Sequence, residues 1–98
     1  MSEFNASRSM VVITARELLR KLGRHFEITI SAYLESKYGT DIEMVGDDPR
    51  RFYSALEELF GEFAAKIFMY DLTRELNIPV KSTDIEDLLK GLEMYLGE

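Results

Sequence analysis

Apolar residues recur along the chain at steps of three and four, the spacing of helices buried on one side. The first stripe runs through Val11, Ala15, Leu18, Leu22, Phe26, Ile30 and Tyr33, widened by Val12 and Leu19. Its register survives Gly23, and one glycine costs a helix only about 1 kcal/mol relative to alanine. The pattern therefore predicts one helix over about 9–38, bent at Gly23, with two helices breaking there as the alternative. The β-branched run Phe26–Ser31 is too short to read as a strand, and its flanks hold the helical phase. Residues 1–8 are polar and patternless and are expected to be disordered.

The stretch from Pro49 to Asn77 is the one around which the rest is organised. Asp48 can cap a helix whose first position is Pro49, where proline's missing donor costs nothing. Phe52, Ala55, Leu56, Leu59 and Phe60 then give one apolar face, which Gly61 ends or bends, so a helix is expected over 49–60. From 62 to 76 the periodicity is double. Ala65, Phe68, Met69, Leu72 and Leu76 share one arc, and Phe63, Ile67 and Tyr70 share another, with Glu62, Lys66 and Thr73 as a polar seam on one side and Asp71 with Glu75 on the other. A helix with two apolar stripes packs neighbours on both sides. Either the chain fills both arcs itself, or the Phe63–Ile67–Tyr70 arc meets a second subunit.

Gly39 to Asp48 reads as a loop, with Ile42, Met44 and Val45 able to tuck it onto the core. Asn77 and Pro79 stop the central helix, and Thr83 with Glu86 forms a capping box for a last amphipathic helix over about 84–96. The expectation is an all-α single domain, a compact bundle of four to five helices around a central helix at about 62–76, occupying residues 9–98.

Charge adds an asymmetry. The formal charge is −6, yet Arg8 to Lys37 carry a net +3, while Gly39 to the C-terminus carries −8. Arg16, Arg20 and Arg24 lie one turn apart on the polar side of the first helix and could meet an acidic protein surface, the acidic half of another copy included. Read as phosphate ligands they suggest a nucleic-acid-binding accessory role, which the overall negative charge disfavours. Arg50 and Arg51 oppose the dipole at the start of their helix, which points to an acidic partner for them.

The parts of an active site are missing from the sequence. Cysteine is absent, and the single His25 lies beside an apolar stripe, where a structural edge role is expected. There is no nucleophile motif and no phosphate-binding glycine loop. Acids at 41, 43, 47 and 48 do not follow a calcium-loop pattern, so neither metal nor cofactor is expected. No apolar run reaches the roughly 20 residues of a membrane span, and the N-terminus has no signal-peptide pattern; a cytoplasmic protein follows.

The run DDPRRFYSALEELFGEFAAKIFMYDLTREL, preceded by Leu18, Leu22, Gly23 and YLESKYGTDIE, resembles a small all-helical archaeal family, the Nitrosopumilus output domain, type five. The likeness spans about residues 13–78, and its most recognisable piece is Asp48–Pro49, Phe52 and Leu59 to Ala64. It implies an all-helical fold and, through the word "output", a protein-binding or signalling module; it transfers no catalytic or ligand residue. The expected function is a non-enzymatic interaction or regulatory module, a homodimer, with Phe63, Ile67, Tyr70, Arg16, Arg20 and Arg24 as the candidate interface.

Overall fold

Two helices rather than one carry the N-terminal stripe, because Gly23 breaks it. The computed structural model describes residues 5–97, and among these it has six helices and no strand: α1 (Ala6–Leu22), α2 (Arg24–Tyr38), α3 (Met44–Asp47), α4 (Pro49–Phe60), α5 (Glu62–Glu75) and α6 (Ile85–Leu96). The all-α bundle read from the periodicity stands, in the version that breaks at Gly23.

Local signals set the helix ends. Asn5 accepts from the Arg8 amide at 3.0 Å, so α1 begins at Ala6 and not near residue 9. Of the segment expected to be disordered, residues 6–8 are thus helical, and residues 1–4 lie outside the described part. Asp48 accepts from the Arg51 amide at 3.1 Å and Pro49 opens α4. Past α5, Asn77 turns left-handed (φ 56°), its amide donates to the Arg74 carbonyl, and the Ile78 amide donates to the Thr73 carbonyl. That pair of bonds closes the last turn and satisfies two free carbonyls.

The capping box expected before α6 does not form. Asp84 occupies the cap position without a side-chain bond to the helix, and its amide donates instead to the Ser82 hydroxyl, which in turn donates to Asp87 at 2.7 Å. Glu86 is taken by Arg50, whose guanidinium holds it through two bonds of 3.0 and 2.7 Å. A charge-assisted bidentate pair is stronger than one carboxylate–amide cap.

The core runs through all layers. Val11, Ala15 and Leu19 of α1, Ile30 and Leu34 of α2, Phe52 and Leu56 of α4, Met69 and Leu72 of α5, and Leu88 and Leu92 of α6 are buried. The segment read as a loop contains α3; Ile42, Met44 and Val45 all bury their side chains, which winds the backbone into a short turn. α5 packs against α1, α4 and α6, with the Phe52 and Phe68 rings tilted against each other across the α4–α5 contact, 6.0 Å between centroids. Thr73, placed in a polar seam by the pattern, is buried, because its hydroxyl donates to the Tyr70 carbonyl at 2.9 Å and needs no water.

Acids within the chain answer half of the basic residues. Arg8 pairs with Asp47, Arg16 with Glu43, Lys37 with Glu58, and Arg50 with both Glu86 and Glu93. The acid that Arg50 calls for is therefore on α6 of its own chain, and Arg51 turns to Asp48 and the Tyr38 ring. Hydrogen bonds from Arg50 hold the Glu86 carboxyl below its usual range, and those from Arg8 do the same for Asp47.

Candidate interaction surface

Two glycine corners build the surface. Gly23 (φ 137°, ψ 153°) joins α1 to α2, and Gly61 (φ 95°, ψ 161°) joins α4 to α5. Both conformations lie in a region that essentially only glycine enters. Each corner still donates its amide to the carbonyl four residues back, Leu19 and Glu57 respectively, so the preceding helix ends cleanly. The corners lie side by side, with the Phe26 and Phe60 rings 5.0 Å apart between centroids.

Between them the end of α1, the start of α2 and the first half of α5 leave an apolar groove of about 350 Å³. Leu18, Leu22, Phe26, Phe63 and Ile67 wall it, buried Phe68 contributes to its lining, and Lys21 and Asp71 line its edge. Phe63 is 77% exposed, Leu22 54%, Ile67 43% and Phe26 38%. Single exposed apolar side chains are ordinary on a folded domain, whereas four gathered around one groove form a patch of the kind that marks contact sites.

Charged side chains line two further concavities. On the α1–α2 side lies a shallow recess lined by Arg20, Arg24, Glu27 and Ile28, with Arg20 held 3.3 Å from Glu27. On the other side, Phe63 also walls a second cleft, lined by Tyr53, Glu62, Lys66, Asp84, Ile85 and Glu86. Burial pushes the Tyr53 phenol up, and the charges of Glu57 and Glu62 add to the effect. The recess sets Arg20 and Arg24 beside Glu27, the cleft sets Glu62, Asp84 and Glu86 beside Lys66, and Phe63 stands between the apolar groove and the cleft.

Of the six residues proposed from sequence, the structure brings Phe63 and Ile67 together in the groove. Tyr70 is not with them: it is half-buried against the core, with the Arg74 guanidinium 6.0 Å from its ring. Arg16, Arg20 and Arg24 do not form a line, since the break at Gly23 puts Arg24 on α2, and Arg16 turns to Glu43 at 3.3 Å. Leu22 and Phe26 were read as core stripe; they flank Gly23 and are turned out with the corner. A helix break at Gly23 is the signal that would have found them. His25 is exposed on α2, and no three metal-ligating side chains converge among the described residues.

Fold and surface together define a small all-helical domain with an open apolar groove. A family model described as Nitrosopumilus output domain 5 matches residues 5–96, and the chain belongs to that family. The match runs beyond the 13–78 stretch that carries the resemblance and takes in α6. Among solved structures the chain is similar to the crystal structure of PH0832 from Pyrococcus horikoshii OT3, at 25% identity and a TM-score of 0.74. That match covers 94% of this chain and 98% of the other. A comparison with curated proteins gave no match. Among the described residues no helix is long and apolar enough to cross a membrane.

Proposed function

We propose that this chain is a non-enzymatic protein-interaction module and that the groove between α1, α2 and α5 is where a protein docks. The observation that supports this reading is the gathering of Leu22, Phe26, Phe63 and Ile67, all exposed, around one apolar concavity. Leaving them in water forgoes about 25 cal/mol for each Å² that a partner would cover. A regulatory, output-type role accords with the family's description, and a cytoplasmic location belongs to the same reading. The homodimer expected from the sequence belongs to the same reading.

Position-specific photo-crosslinking tests it. A benzophenone amino acid is placed at position 63 in one variant and at position 94 in another, since Phe63 and Met94 are equally exposed (77% and 74%) and only Phe63 lies on the groove. Irradiation in the protein's own cells should give discrete adducts from 63 and none from 94. Adducts equal at both positions, or at neither, would remove the groove from the account.

A further inference from the structure

The start of α6 carries two sets of end signals, and the structure uses one of them. We infer that Arg50 selects between them. While its guanidinium grips Glu86, α6 begins at Ile85; once the grip is released, Glu86 turns back to cap its own helix, which then begins one residue earlier, at Asp84. The switch is independent of what the groove binds.

Both sets are written in Ser82–Thr83–Asp84–Ile85–Glu86–Asp87. In the observed arrangement Asp84 holds the cap position with an extended backbone (φ −63°, ψ 143°), and its carbonyl accepts from the Leu88 amide at 3.0 Å. Its side chain caps nothing. The Ser82 hydroxyl accepts from the Asp84 amide and donates to Asp87. The amides of Ile85, Glu86 and Asp87 are then the open donors of a first turn, without an acceptor among the described residues. Thr83 is exposed, and its hydroxyl has no hydrogen-bond partner among the described residues.

The second set is Thr83 with Glu86 three residues on. With Thr83 as the cap, its hydroxyl accepts from the Glu86 amide and its own amide donates to the Glu86 carboxylate. Its carbonyl takes the Asp87 amide, so two of the open donors are closed. A single contact stands in the way: Arg50 holds the Glu86 carboxylate through bonds of 3.0 and 2.7 Å. Arg50 also grips Glu93 at 2.7 and 3.1 Å, and Leu88, Leu89 and Leu92 are buried. Release of Glu86 therefore moves the start of α6 while its body stays on α4. The Arg50 and Glu86 side chains are about half exposed (42% and 53%), so salt or a rival anion reaches their contact. Asp84, Ile85 and Glu86 line the cleft that Phe63 also walls, so the choice of start reshapes a surface beside the groove.

NMR of the whole chain tests the switch in four proteins: wild type, Thr83→Ala, Arg50→Gln and the two changes together. Amide exchange at Glu86 and Asp87 and the Cα shift of Asp84 are read in each. Arg50→Gln should slow both amides by about fivefold or more, the worth of one net hydrogen bond, and move the Asp84 Cα to a helical shift. Adding Thr83→Ala should return all three to wild-type values. With Arg50 present, Thr83→Ala should change none of them. Should Arg50→Gln fail to fold, sodium chloride at about 1 M replaces it by screening the exposed pair; the protection should then appear in the wild type and not in Thr83→Ala. Amides that exchange as fast without the Arg50 grip as with it overturn the inference, as does an α6 that unravels in an otherwise folded Arg50→Gln. A Thr83→Ala effect of equal size with and without Arg50 overturns it too, because the cap would then be in place already.

Discussion

The rings of Phe26 and Phe60 meet at 5.0 Å, inclined by 54°, and join the two places where the backbone turns on a glycine. Phe26 follows Gly23 by three residues and Phe60 immediately precedes Gly61. The contact ties α2 to α4 beside the groove that Phe26 also lines. Such an aromatic pair contributes about 0.5–1.5 kcal/mol beyond the area it buries. A double-mutant cycle of Phe26→Ala and Phe60→Ala in urea unfolding should show coupling of that size.

Gly61 allows no side chain in its conformation. A Cβ there would meet nothing within 4 Å, so any penalty is conformational rather than steric. Gly61→Ala should cost about 1–3 kcal/mol, and Gly61→Asn should not recover it, because ψ 161° lies outside the left-handed helical region that asparagine tolerates. Chemical denaturation of the two variants against wild type reads this directly.

The buried and exposed arcs of α5 should respond oppositely to substitution. Leu72 is fully buried, and Leu72→Ala should cost about 2–5 kcal/mol, from lost transfer energy and the cavity left behind. Phe63→Asp should change monomer stability by no more than about 0.5 kcal/mol. Thermal melts of both, read in the monomeric range, check the contrast.

Acid should loosen α6. The Glu86 carboxyl is depressed by its hydrogen bonds to Arg50, so its folded pKa lies below its unfolded one. The stability it contributes is then complete above the ordinary glutamate range, near pH 4.3, and is lost as pH falls through the folded value. The exposed pair makes the effect small. Carboxyl titration by NMR should find Glu86 low in the wild type and moved upward in Arg50→Gln, with amide protection of α6 falling first as acid is added.

Helix positions were legible because apolar spacing and end signals act locally: Asp48–Pro49 marks one start, and Asn77 with Pro79 marks one stop. Gly23 was harder, since the stripe keeps its phase through it, and only the backbone angle shows that the helix ends there. The short α3 was hidden for a related reason, as four residues give no period to count. On the surface, Phe63 and Ile67 were separable from the core arc of α5, but Tyr70 shares their phase and is drawn inward by packing against the core. The destination of Arg50 depended on a residue 36 positions away, a contact that no local pattern encodes.

Phe63 and Ile67 project from α5 while its opposite face holds the core through Met69 and Leu72. On the docking reading, recognition and foldedness are inherited separately on one helix. Mutations at 63 and 67 can rewrite the choice of companion without first accumulating compensations inside the bundle. Relatives that share this scaffold are free to diverge in whom they meet long before they diverge in how they melt, and exchanging only those two side chains between them should carry the preference across.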